Sequence, residues 1–153
     1  MALEIERKFL VAGESWRTGA DAGAAVRQGY LSRGESASVR VRIIGEAAFL
    51  TIKSAHAGAA RSEFEYPIPP ADAEQMLAHL CAAPLIEKRR HTIAVGGHIW
   101  TVDVFEGALA GLTLAEVELA HADETIAIPP WAGREVTDDP RYRNDALSPD
   151  TPR

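Results

Sequence analysis

The sequence predicts a mainly β protein with flanking helices, an α+β chain built on about eight antiparallel strands able to close into a barrel. Three observations predict it. Most of the chain alternates with a period of two, long helical patterns are scarce, and charged residues take one parity in strand after strand.

Taken in order, the candidate strands cover about 3–11, 25–33, 37–44, 47–54, 61–68, 86–95, 98–106 and 112–121. Gly45-Glu46 and Gly96-Gly97 form two-residue turns between alternating runs, so the strands on either side of each are antiparallel neighbours. After Pro69-Pro70, a helix over Asp72–Ala83 places Met76, Leu77, Leu80 and Cys81 on one face, carries acidic residues in its first turn, and stops at Pro84. A second helix is expected from Asp139-Pro140 through Leu147, lying on the surface within a C-terminal helical segment of about 129–148. The proline-broken tail from Ser148 to Arg153 is expected to fray. With no repeat, linker or low-complexity tract, the economical organisation is a single domain over 1–153, with its barrel at about 3–121.

Composition narrows the function. The 153 residues carry 16 Lys+Arg against 22 Asp+Glu, a formal charge of −6, with 46% hydrophobic and 25% charged residues. An acidic chain lacks the broad basic surface of a nucleic-acid binder. No apolar run is long enough to cross a membrane and the N-terminus is charged from Glu4, which predicts a cytosolic protein without membrane attachment. The one cysteine, Cys81, excludes a disulfide framework or cysteine zinc site within the chain.

The informative charges come in like pairs two residues apart: Glu4/Glu6, Arg40/Arg42, Glu63/Glu65, Lys88/Arg90 and Glu116/Glu118, with Lys8, Lys53 and Asp103 on matching parities. For any single strand, a solvated sheet face explains such charges. A solvated face normally mixes Thr, Ser, Lys and Glu, whereas repeated like pairs repel unless counter-charge gathers them. Paired carboxylates suit a hard cation such as Mg²⁺ or Mn²⁺, and paired arginines suit phosphate oxygens. If these faces line a barrel lumen, seven acids and six bases leave it at −1, and about two divalent cations would bring it to about +3, matched to a polyphosphate. Burying so many ions in a dry core costs several kcal/mol each, so a wet, open tunnel is expected.

These residues resemble the CYTH superfamily, the triphosphate tunnel metalloenzymes, and its short bacterial members in particular. Glu4-Ile5-Glu6-Arg7-Lys8 matches the Glu-x-Glu-x-Lys signature. Gln28-Gly29-Tyr30-Leu31, Arg40-x-Arg42, Thr51-Ile52-Lys53, Glu63-x-Glu65, Lys88-x-Arg90, Asp103-x-Phe105-x-Gly107 and Glu116-x-Glu118 follow in the family's order.

The resemblance implies an eight-stranded tunnel that binds a triphosphate with divalent metal, Mg²⁺ or Mn²⁺. It implies phosphate binding by Lys8, Arg40, Arg42, Lys53, Lys88 and Arg90, and metal binding by Glu4, Glu6, Asp103, Glu116 and Glu118, with Glu63 and Glu65 supporting a second ion or water. Lys8, Glu6 and Arg42 are the candidate catalytic groups, and the choice between Lys8 and a carboxylate for proton transfer stays open. Trp131–Thr137, Tyr142 and Asn144 resemble the end of the short members, where a final helix is expected to plug or gate one tunnel mouth.

The expected activity is metal-dependent hydrolysis of inorganic triphosphate to pyrophosphate and phosphate. The alternatives are a class IV-type adenylyl cyclase, a thiamine triphosphatase, and a non-catalytic polyphosphate or nucleotide sensor. The sequence carries no adenine-reading motif, and carboxylates beside phosphate weaken binding unless metal intervenes. Of the remaining residues, Trp16, Trp100 and Trp131 are expected to pack outside the barrel. Arg61 is expected to meet a carboxylate at the rim. The five histidines, His56, His79, His91, His98 and His121, lack metal-ligand spacing.

Overall fold

A computed structural model describes residues 2–55 and 59–153. Its strands are β1 (Ala2–Val11), β2 (Ala24–Arg33), β3 (Ala37–Ile44), β4 (Ala47–Ser54), β5 (Ala60–Ile68), β6 (Ile86–Val95), β7 (His98–Glu106), β8 (Thr113–Glu118) and β9 (Ala132–Glu135), with helix α1 at Pro70–His79. Neighbours run β5-β4-β3-β2-β6-β7-β8-β1, and pairing of β1 with β5 closes eight antiparallel strands into a barrel. The expected strand limits hold within about three residues. At both tight turns the register continues across two residues, Ile44 opposite Ala47 and Val95 opposite His98. Gly45 and Gly96 take φ of 57° and 54°, the left-handed conformation these turns require.

Closure sends one parity inward and the other into two outer cores. Ile5, Phe9, Trp100, Val102 and Val117 face outward and are covered by Trp16 and Trp131. Trp100 packs edge-on against Trp131 at 5.5 Å between ring centroids, as the exterior reading of the tryptophans expected. Val41, Ile43 and Ala48 form the second outer core beneath Ala73 and Leu77 of α1. The helix starts at Pro70, which the first turn tolerates, and ends at His79, short of the expected Ala83. The chain leaves it so that Ala82 can donate to the Tyr30 carbonyl of β2.

The C-terminal third departs from expectation. In place of a helix over 129–148 there is the short strand β9 on the free edge of β1 and a single 3₁₀ turn at Pro140–Tyr142. This segment is not a surface element: Tyr142 and Leu147 are buried with Val136 against Leu10, Tyr30, Ile86, Phe105, Leu112 and Leu114. Those partners share parity with the charged lumen residues, so they close one end of the barrel with an apolar plug. The lumen is therefore a cup, with one mouth plugged by the C-terminal segment as the resemblance implied, though by irregular chain rather than a helix. The tail is docked rather than frayed, because Tyr142 Oη donates to the Pro152 carbonyl at 2.9 Å and Arg153 donates to the Ala110 carbonyl at 3.2 Å.

Candidate active site

The cup encloses a cavity of about 440 Å³, lined by charged residues from six strands and by Ile99, Thr101 and Asn144. Of the sequence-selected residues, Glu4, Glu6, Arg40, Arg42, Lys53, Glu63, Glu65, Arg90, Glu116 and Glu118 line it. Lys8 borders an adjoining recess beside Glu6. Lys88 and Asp103 share the inward parity but do not border the cavity; both are buried inside the barrel on the side of the plug.

Barrel topology sorts these charges. β3, which carries Arg40 and Arg42, is diametrically across the ring from the β1–β8 seam. At that seam Glu6 stands opposite Glu118, and Lys8 opposite Glu116. Arg42 Nε donates to Gln28 Oε1 at 2.9 Å, and buried Arg40 leaves its Nε without a partner. Among the described residues neither arginine has a carboxylate within ion-pair distance. At the acidic seam Glu6 and Glu118 likewise have no cation within ion-pair distance among the described residues. Burial, then the charges of Glu116 and Glu4, push the Glu6 carboxyl up to about 8. Glu118 is likewise raised, by burial and by Glu4. On the opposite wall, burial and the neighbouring Arg40 and Arg90 bring the Arg42 guanidinium down to about 9.

Elsewhere the charges are matched. Lys53 Nζ sits 2.7 Å from Glu4 and 3.3 Å from Glu63, and against the effect of burial Glu4 and Glu6 raise its proton affinity. Lys8 Nζ donates to the Tyr142 carbonyl at 2.8 Å and lies 3.6 Å from Glu116. Despite burial, Lys8 and Arg90 hold Glu116 at about 2. Thr51 donates to Glu65 at 2.9 Å.

Asp103 stands apart from the seam carboxylates. Arg90 donates to both of its oxygens at 2.8 Å and Lys88 Nζ closes on one of them at 2.7 Å. Against strong burial, these two cations hold Asp103 well below the usual carboxylate range, while burial brings Lys88 down to about 7. Both oxygens accept from cations, an arrangement that orients Arg90. Arg61 differs from expectation, donating to the Ser54 carbonyl at 2.9 Å rather than to a carboxylate.

The donor set fits a hard cation. Glu6, Glu116 and Glu118 present only oxygens along one seam; the raised carboxyls of Glu6 and Glu118 mark negative charge without a counter-ion, while Glu116 beside them is already balanced by Lys8. Among the described residues no three His, Cys, Asp or Glu side chains already converge as a metal cage. That pattern suits Mg²⁺, which is commonly held by one or two carboxylates, with waters and substrate phosphates completing its shell. His56 lies outside the described residues, and the other histidines stay apart from the lumen, His98 pairing with Glu124 and His121 with Asp123.

The sequence reading gave no site role to Thr51, Thr101 and Asn144, which line the cavity or its recesses, nor to Gln28, which holds Arg42. Parity signalled three of them: Gln28 pairs across strands with Arg42, Thr51 with Arg40 and Thr101 with Glu116. Asn144 arrives from the irregular C-terminal segment, where only the family resemblance marked it.

The sequence model described as the CYTH domain matches residues 2–148. An inorganic triphosphatase of Acetivibrio thermocellus is 43% identical over 147 residues, 96% of this chain and 94% of that one. An inorganic triphosphatase of Nitrosomonas europaea is 40% identical over 149 residues, 95% and 96% of the two chains. A crystal structure of an inorganic triphosphatase superposes with a TM-score of 0.67 at 37% identity, covering 100% of this chain and 99% of the other.

Proposed function

From the premise that this chain belongs to the CYTH domain family, we infer that it is an inorganic triphosphatase, cleaving triphosphate to pyrophosphate and phosphate with the help of a divalent cation. The observation that carries the reading is the separation of unpaired charge across the lumen. Arg40 and Arg42 stand on one wall and Glu6 and Glu118 on the other, with space between them for an anion and its cation.

In this reading Arg40, Arg42, Lys53 and Arg90 receive phosphate oxygens, and Lys8 from the adjoining recess and Lys88 from below the cavity add positive potential. Glu6, Glu116 and Glu118 hold Mg²⁺ or Mn²⁺, with Glu4, Glu63 and Glu65 at the rim of the same set. The cation, when bound, neutralises phosphoryl charge and orients water. A water on the acidic side attacks the terminal phosphorus in line with the bridging oxygen. The P–O bond to pyrophosphate breaks as the new bond forms, and a carboxylate of the seam takes the water's proton. Lys8, already a donor to Tyr142 and near Glu116, serves as a cation toward the phosphoryl group rather than as that base. A cytosolic setting belongs to the proposal, supported by the free thiol of Cys81.

The test is a phosphate-release screen of inorganic triphosphate, ATP, GTP and thiamine triphosphate with Mg²⁺ or Mn²⁺, with cyclic nucleotide assayed in parallel. Metal-dependent release from inorganic triphosphate is the expected result. No release with either ion would overturn it.

A further inference from the structure

One polar side chain in the cavity wall has no work in this mechanism. Asn144 comes from the C-terminal segment, is only 8% exposed, and its Oδ1 is buried without a hydrogen-bond partner. It lines the main cavity and also both recesses beside it, one containing Glu6 and Lys8, the other Arg40 and Lys53.

Its position is fixed from both sides. The preceding residue but one, Tyr142, is buried in the plug and accepts from Lys8 at its carbonyl. Ala146 N and Leu147 N donate to the Arg143 carbonyl, closing a turn around Asn144. Other polar groups of this segment are matched: Tyr142 Oη reaches the Pro152 carbonyl, and Ser148 N reaches Thr151 Oγ1. A buried amide acceptor left without a donor is destabilising, so one held rigidly in a charged cavity calls for a donor, such as a water on a bound anion, supplied from within it, with the amide Nδ2 free to donate to the anion itself.

We propose that Asn144 is a substrate contact, its amide hydrogen-bonding the bound triphosphate or a water on it between Lys8 and the Arg40–Lys53 wall; this rests on the triphosphatase reading. The amide is suited to that place. It offers donors to phosphate oxygens and an acceptor to a phosphate-bound water, and it adds no charge to a region already crowded with cations. The C-terminal segment thereby forms part of the active site as well as closing the barrel.

Steady-state hydrolysis of inorganic triphosphate and thermal melting, compared for the wild type, Asn144→Ser, Asn144→Ala and Asn144→Asp, decide the matter. The expected result is a fall in kcat/KM in the order Ser, Ala, Asp, at least tenfold for Ala. The Asp variant is lowest, with the largest rise in KM, because a carboxylate repels phosphate. Melting temperatures should not follow that order. Unchanged kcat/KM in the Ala and Asp variants overturns the proposal, as does a loss that merely tracks melting temperature. Should the Ala variant fail to fold, the Ser and Asp variants give the same comparison. If the wild type releases no phosphate, the triphosphatase reading has failed. Asn144 is then judged by calorimetric binding of inorganic triphosphate, where weaker binding to the Asp variant supports the contact and equal binding overturns it.

Discussion

Asp103 grips Arg90 at two points, Nε and Nη2 each donating to a separate carboxylate oxygen at 2.8 Å. Lys88 Nζ shares one of those oxygens at 2.7 Å. A fork held this way keeps a single orientation, with Arg90 reaching into the lumen.

Replacing Asp103 with Asn would leave two buried cations facing a neutral amide. We expect Asp103→Asn to cost about 3–5 kcal/mol of stability, the usual penalty for stripping one partner from a buried ion pair, and to lower kcat. The metal concentration giving half-maximal rate should stay the same, because the carboxylate has no free oxygen for an ion. Urea unfolding and a metal titration of the rate read both effects. A tenfold rise in metal requirement with stability intact would make Asp103 a ligand after all.

The facing carboxylates of the β1–β8 seam lead to a second expectation. Glu6→Gln and Glu118→Gln each remove negative charge from a place where the metal-free protein has too much of it. Both variants should melt no lower than the wild type in chelator, yet lose turnover by about 100-fold or more, comparable to removal of a group that stabilises transition-state charge. Full wild-type activity in excess chelator would rule out metal catalysis.

The same seam sets the pH dependence of the metal-free protein. Glu6 is pushed up to about 8 from an ordinary 4.5. Between those values the folded protein holds a proton that the unfolded chain has released, so stability falls as pH rises through this window. Glu63 and Glu118, also raised, act with the same sign. Glu116, held at about 2, contributes stability that is present above 4.5 and lost as pH falls toward 2. The melting temperature in chelator should therefore peak near pH 5, on the order of the ordinary carboxylate pKa, falling toward acid and, on the alkaline side, up to about pH 7, above which Lys88, brought down to about 7, acts with the opposite sign. Glu6→Gln should flatten only the alkaline limb. A wild-type melting temperature that climbs steadily to pH 8 would contradict this ordering.

The barrel was legible because a period of two is a direct record of which side chains share a face, and two tight turns fixed the register of four strands. Even the Arg90–Asp103 pair was recoverable: a two-residue turn at Gly96-Gly97 puts Val95 opposite His98 and, five residues further back, Arg90 opposite Asp103. Parity alone shows the face of a residue and not what stands across from it, and the metal role of Asp103 came from the family resemblance. The C-terminal segment was illegible for a different reason. Tyr142 and Leu147 are sparse apolar residues among prolines and charges, with no period of their own. Their burial is set by a gap at the end of the barrel that exists only once the strands have closed. β9 is similar, since four residues carry little local signal. They pair because β5 covers β1 only from Ala2 to Ile5 and leaves its later edge open.

The lumen also predicts selectivity among triphosphates. Its described lining includes no aromatic side chain on which a base could stack, and the plug of Tyr142, Leu147 and Phe105 closes the far end. An adenosine group would have to project from the mouth, where Ile99 is the apolar residue at hand. Inorganic triphosphate should therefore be cleaved with higher kcat/KM than ATP, since nothing on the wall repays the added bulk with binding in the transition state. Arg42 supplies the internal control. It faces phosphate rather than base, is held by Gln28, and has no carboxylate partner to lose. Arg42→Ala should lower the rate for triphosphate and ATP alike by about 100-fold or more, as expected for losing a positioned donor in a water-poor site, leaving their ratio unchanged. Parallel assays of phosphate and cyclic nucleotide separate the alternatives: ATP giving cyclic AMP and pyrophosphate faster than triphosphate gives phosphate favours a cyclase. Tight triphosphate binding without any turnover favours a sensor.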